Sequence, residues 1–378
     1  MKNLNYENKY FFFLIYLIYL SLFYPIWLSG ELYYDDWSVA ETGSLLGFKD
    51  AFVGYLNGFI TRPFGAIILA IISQIKYNFQ LAFFLNLSVW FCFCLIIFKV
   101  FKKITDENFS IIFFVLILFP NFNFTNLISP YAQSLGIYSL LFWSISLFFT
   151  LQYYVNRKIR YLTFSIIFFF ISVLTYEITF PLIVFNFFIK YFLKNDKFKI
   201  NTSLVKKNLK EIIIIILITL SIILYQKVIV NFFDFNISNR YRFKFNNEFL
   251  SVILNYYLIP LEILLGSFKL LFSFEIKFLN FNLFFLVFFL IILNKTQTNF
   301  KPNINFYFLF LSFYFLFLLF FVVAGSLPTI YGYYNRAMGA YNFMFTLLIL
   351  VMLIKITPYN IINKLLLITY FLLNFFSF

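Results

Sequence analysis

Apolar runs of about 20 residues recur along the whole chain, separated by short segments that hold nearly all of its charge. Wound at about 1.5 Å per residue, such a run crosses the roughly 30 Å hydrocarbon core of a bilayer as an α-helix. Inside lipid a helix also satisfies its own backbone hydrogen bonds. The pattern predicts about eleven spans, at 10–29, 81–98, 109–120, 133–154, 161–175, 178–193, 211–231, 277–293, 305–324, 341–357 and 361–378. The expected fold class is an all-α polytopic membrane protein, one transmembrane domain over 1–378 with no internal repeat or Gly/Ser linker.

Two apolar stretches fit poorly as spans. Residues 64–75 are only about a dozen, and 249–274 is interrupted by Asn255, Pro260, Glu262, Gly266 and Lys269. If either crossed alone, basic segments beyond it, such as 156–160 after the first, would change sides, so both are expected to lie at the interface. The first outer loop, 30–80, is thus expected to carry interfacial helices. The first run follows Lys2 and Lys9 and lacks a small-residue cleavage site, so it is expected to be an uncleaved span.

Composition sharpens this picture. The chain is 63% hydrophobic and 12% charged, with mean hydropathy +0.89, against roughly 25% charged in a globular domain. The net charge of +14 would suit nucleic acid, but the Lys and Arg residues collect in short segments at 99–108, 156–160 and 194–210, with 294–301 and 355–364 completing the set. That is the positive-inside pattern, so membrane lipids are expected as partners and nucleic acid is not. Aromatics reach 25%, which assigns most of them to packing and interface anchoring. Histidine is absent, which removes His-based triads, H-E-x-x-H metal sites and His proton relays. Cys92 and Cys94 are too few for a structural metal site and face apart on a helix; they are expected to be small core residues.

The same topology puts 31–62, 121–131, 175–177, 234–248 and 325–340 on the non-cytoplasmic side, where most polar landmarks fall. Foremost are Asp35 and Asp36, just beyond the first span. Charge beside a bilayer is costly, which favours a functional reading over helix capping and interface solvation. Ser38-x-x-Glu41 fits a capping box and predicts a helix starting at Ser38, with both aspartates ahead of its N-terminus. Adjacent residues point different ways, so one acid serving as base and the other supporting a neighbour or a metal is the better division. A divalent ion at Asp35 and Asp36 is left open, and no other cofactor is called for.

Arg62, ahead of Pro63, offers a planar fork suited to phosphate or, equally, to lipid headgroups. Glu177 is the only acid between Glu107 and Asp196 and faces either solvent or the aspartates' cavity. Arg336, beside Tyr334 and far from any acid in sequence, suits a phosphate, with the tyrosine as sugar platform or interface anchor. Arg240, Arg242 and Lys244 add a basic cluster on that face.

Tyr34-Asp35-Asp36-Trp37 after the first span, Arg62-Pro63-Phe64, Phe84-Leu85-Asn86-Leu87 and the late Arg336 together resemble the GT-C superfamily of membrane glycosyltransferases. That superfamily includes the protein O-mannosyltransferases and bacterial enzymes modifying lipids and polysaccharides. The match is strongest over the first hundred residues. The resemblance implies a sugar donor on a polyprenyl phosphate and a glycan, lipid or protein acceptor. Asp35 or Asp36 would be the general base for an inverting transfer, and Arg62 and Arg336 would stabilise the leaving phosphate. It further implies a multi-pass protein of the bacterial inner membrane with its active site facing outward. A polysaccharide polymerase or ligase, leaning on Arg240, Arg242 and Arg336, is the alternative. A lipid or glycan transporter is a more distant one, since neither inverted repeats nor mid-span charges stand out.

Overall fold

In the computed structural model, the described residues are 9–29, 34–118, 129–131, 134–192, 209–225, 304–323 and 339–356. They are almost entirely helical, with no strand among them. In chain order the helices are α1 (Lys9–Ser29), α2 (Tyr34–Leu45), α3 (Phe48–Gly58), α4 (Pro63–Ser73), α5 (Phe79–Ile104), α6 (Glu107–Leu118), α7 (Leu135–Asn156), α8 (Ile159–Thr175), α9 (Ile183–Phe192), α10 (Leu209–Leu224), α11 (Ile304–Val323) and α12 (Gly339–Ile356). A 3-10 turn, Glu177–Leu182, joins α8 to α9.

Two of these helices, α5 and α7, are long and apolar enough to cross a membrane. At 26 and 22 residues they measure about 39 and 33 Å. Apolar segments of α1, α4, α6, α8, α10, α11 and α12 are shorter. The expected spans at 277–293 and 361–378, and the interfacial stretch 249–274, lie outside the described residues.

Several boundaries differ from expectation for physical reasons. The basic segment expected as a loop at 99–108 is mostly helix: α5 runs on to Ile104, with Lys102 and Lys103 in its last turn, where the carbonyl end of the helix dipole favours cations. The span expected at 178–193 opens instead as a 3-10 turn, because Pro181 lacks an N–H and cannot continue an α-helical ladder. The ten residues of α9 cover only about 15 Å. Helix α4 matches the short segment expected at 64–75.

Helices α7 and α8 form an antiparallel hairpin closed by two residues, Arg157 taking a left-handed conformation at φ 54°. Inside it, Ser146 donates to the Ser165 carbonyl at 2.8 Å, and Thr150 and Ser165 hydroxyls meet at 2.6 Å. Asn186 of α9 joins by donating to Ser146 Oγ at 2.9 Å while accepting from Trp143 Nε1 at 2.8 Å. Around this polar seam lies an aromatic core in which Phe343 of α12 contacts Trp143, Phe113 and Phe185 at 4.8, 5.4 and 5.6 Å between ring centroids. Cys94 is buried in that core as expected, whereas Cys92 faces outward and is exposed.

Lys102, Lys103, Glu107, Arg157 and Lys190 gather at one end of the bundle. Lys102 pairs with Glu107 at 2.8 Å, and Arg157 and Lys190 lie over the Tyr154 ring at 6.0 and 5.8 Å. The polar landmarks gather at the opposite end, where α5 and α7 begin and α8 finishes.

Candidate functional site

Three segments far apart in sequence meet at that opposite end: α2 to α4, residues 129–135, and the 175–178 turn. A second, smaller core holds them, built from Val39, Ile68, Leu69, Tyr131, Leu135 and Tyr176 among others. Two glycines allow the close approach. A Cβ on Gly43 of α2 would fall inside the carbonyl of Ser73 at the end of α4, and one on Gly65 of α4 would sit 2.6 Å from the carbonyl oxygen of Thr175.

Helix α2 begins at Tyr34, four residues before the expected Ser38. Both aspartates are therefore in its first turn, not ahead of it, and Ser38 lies within the helix, its carbonyl accepting from Thr42 Oγ1 at 2.7 Å. Acidic groups in a first turn stabilise exposed helical N–H groups. Tertiary bonding then fixes Asp36 in place. Its side chain is fully buried, and its Oδ1 accepts from Ser129 Oγ at 2.8 Å and from the Tyr131 backbone N–H at 3.1 Å. Asp35 shares the first turn by backbone; its side chain lies outside the described residues.

Tyr131 secures the other side of this contact. Its hydroxyl donates to the Lys76 carbonyl, and its own carbonyl accepts from Ser134 Oγ at 2.6 Å. Burial, with a smaller contribution from the nearby Asp36 charge, pushes the phenol well above its ordinary value, so it remains a protonated donor.

Arg62 precedes α4, with Pro63 at the first helical position where its missing N–H costs nothing. Its Nε donates to Glu177 Oε2 at 2.6 Å, and its Nη2 donates to Oε1 in the same forked pair. The guanidinium carbon stands 4.5 Å above the Tyr176 ring. Both charged side chains are nearly buried, at 10% and 14% exposure. Two residues expected to bind substrate thus bind each other, 115 positions apart.

Tyr334, Arg336, Arg240, Arg242 and Lys244 lie outside the described residues. Among the described residues no group of three or more His, Cys, Asp or Glu side chains is placed to hold a metal ion. The residues that sequence reasoning missed are Ser129 and Tyr131, the donors to Asp36, and Gly43 and Gly65, the contact glycines. The pairing of Arg62 with Glu177 had a signal: two isolated opposite charges expected on one face.

Comparison with protein-family models, curated proteins and solved structures gives no match to this chain.

Proposed function

We propose that the chain is a multi-pass integral-membrane glycosyltransferase of GT-C type, moving a sugar from a polyprenyl phosphate to a glycan, lipid or protein acceptor at the outer face of a bacterial inner membrane. One observation carries this reading. A buried aspartate, Asp36, is locked by donors from a segment more than ninety residues later, and this fixes the acid-bearing first turn of α2 at the end of the bundle opposite Lys102, Lys103, Arg157 and Lys190. That separation of charge agrees with a basic cytoplasmic end and a polar outer end.

The acids divide into two roles. Asp36, buried and bonded, is the positioning residue. Asp35, its neighbour in the same first turn, is the general base. In the transfer, an acceptor hydroxyl gives its proton to Asp35, and its oxygen attacks the anomeric carbon from the face opposite the leaving group. The anomeric C–O bond breaks, and polyprenyl phosphate departs with the electron pair. Charge growing on that phosphate is met by Arg336, with Tyr334 beside it. Arg62, neutralised by Glu177, braces α4 against the 175–178 turn and reaches the substrate only through that scaffold. A divalent ion, were one bound, would be held at Asp35 and would supply charge neutralisation for the leaving group.

The test is donor turnover by purified protein in lipid nanodiscs, offered a panel of polyprenyl-phosphate sugars. Wild type should release polyprenyl phosphate. Asp35→Asn should abolish release in a folded protein, whereas Asp36→Asn should lower it in step with a loss of stability. Full activity in both variants would remove the aspartates from the mechanism. No release from any donor, with lipid-linked oligosaccharide consumed instead, would favour the polymerase reading.

A further inference from the structure

Beside Asp36 the chain exposes two large aromatic rings. Trp37 of α2 is 51% exposed and Tyr77, in the turn before α5, is 45% exposed. Their centroids are 6.0 Å apart at an interplanar angle of 51°. Behind them Phe79 meets Trp37 edge-on at 5.9 Å and Tyr77 at 6.4 Å, and it also meets the buried Tyr131 at 6.5 Å. An unbroken file of rings therefore leads from the surface to the residue whose backbone N–H holds Asp36.

The turn that presents Tyr77 follows the end of α4. Lys76 adopts φ 56°, a left-handed conformation that often ends a helix. Tyr131 donates its hydroxyl to the Lys76 carbonyl. The turn closes through Lys76 N–H to the Ser73 carbonyl at 2.9 Å and Asn78 N–H to the Ile75 carbonyl at 3.2 Å. Around the two rings, Lys76, Asn78 and Gln80 are all exposed.

We infer that Trp37 and Tyr77 form a stacking ledge for a pyranose ring of the acceptor or the donor sugar, held beside the acid turn of α2. This rests on the glycosyl-transfer reading and names what that site grips. The apolar face of a pyranose presents C–H groups with partial positive charge, which suit the negative face of an aromatic ring. The Lys76 ammonium, the Asn78 amide NH2 and the Gln80 amide can meet the sugar's equatorial hydroxyls, while Asn78 Oδ1 caps α5 by accepting from the Leu81 N–H at 3.1 Å. The hydrogen bonds of the turn hold the Tyr77 ring beside Trp37.

The ledge is tested by saturation-transfer-difference NMR on the full chain in nanodiscs. The probes are the methyl glycosides of glucose, galactose, mannose and N-acetylglucosamine. At least one should receive saturation on the C–H protons of one ring face. Trp37→Ala and Tyr77→Ala should each weaken its binding by up to about tenfold, the scale of one lost ring contact. Trp37→Phe and Tyr77→Phe, which keep a ring, should retain most of it. No saturation of any glycoside by protein that is folded and turns over donor would overturn the ledge, as would equal saturation in the alanine variants. Strong quenching by brominated lipid of the emission that Trp37→Phe removes would make the ring a headgroup anchor and overturn it too. Glycoside binding lost in the alanine variants, without any donor turnover by wild type, keeps the ledge and removes the transferase.

Discussion

Replacing Glu177 should be among the most damaging single changes in the described part of the chain, because it takes the forked carboxylate from a nearly buried Arg62. The two side chains are about one-tenth exposed, form a forked pair and are capped by the Tyr176 ring. With charge centres near 4 Å and an effective dielectric around 20, their attraction is about 4 kcal/mol. Cutting one partner from such a buried pair costs about 3–5 kcal/mol, since the remaining charge keeps its desolvation penalty. Contact with Tyr176 adds about 1–2 kcal/mol to what depends on the guanidinium staying in place. Glu177→Gln and Arg62→Met should therefore each destabilise by about 3 kcal/mol, whereas Arg62→Met with Glu177→Leu, which replaces both charges by apolar groups, should lose far less than the sum. A coupling of about 2–3 kcal/mol follows. It is read from SDS titrations in mixed micelles, followed by emission of the buried Trp90 and Trp143. Arg62→Lys should behave as a loss, because an ammonium cannot form the fork. Single-variant costs below about 1 kcal/mol, the value of a screened surface pair, or strict additivity would refute the buried latch.

The other expectations are simpler to check. Ser129→Ala removes one donor to Asp36 and should lower stability by about 1–2 kcal/mol in the same titration, with donor turnover falling in parallel. Gly65→Ala should cost about 1–3 kcal/mol, because its methyl meets the Thr175 carbonyl. Gly54→Ala, in α3 with nothing within 4 Å of the new carbon, should gain about 0.5–1 kcal/mol. Asn186→Leu should lower stability by about 1–3 kcal/mol, since it leaves the Trp143 indole N–H buried without its acceptor; an unchanged melting midpoint would mean that the α7, α8 and α9 seam contributes nothing.

Periodicity and length were enough to find α1, α7 and α8 to within a few residues, because each is long and its neighbours in the chain are polar. The short α4 was legible for the same reason in reverse: a dozen apolar residues cannot form a span. Where α2 begins was not legible. Ser38 and Glu41 form a credible local cap, but Ser129 and Tyr131 hold Asp36 inside the helix from almost a hundred residues away, and local spacing carries no trace of that bond. Pro181 was visible, yet a proline near the edge of an apolar run reads equally as an allowed first-turn residue. At the candidate site, residue types were readable and partners were not. Asp36 was singled out for its charge, and the fold buries it against Ser129 and Tyr131. Arg62 and Glu177 were each read against an outside ligand until the chain itself brought them together.

The glycines at the two helix crossings have a consequence for descent. A buried phenylalanine or isoleucine can give way to another apolar residue of similar volume at small cost, so lineages sharing the fold are free to drift there. Gly43 and Gly65 lack that freedom, because a backbone carbonyl occupies the space where any side chain would begin. Distant kin should therefore keep a glycine six positions after an Asp-Asp-Trp and another two after an Arg-Pro, in chains that agree on little else.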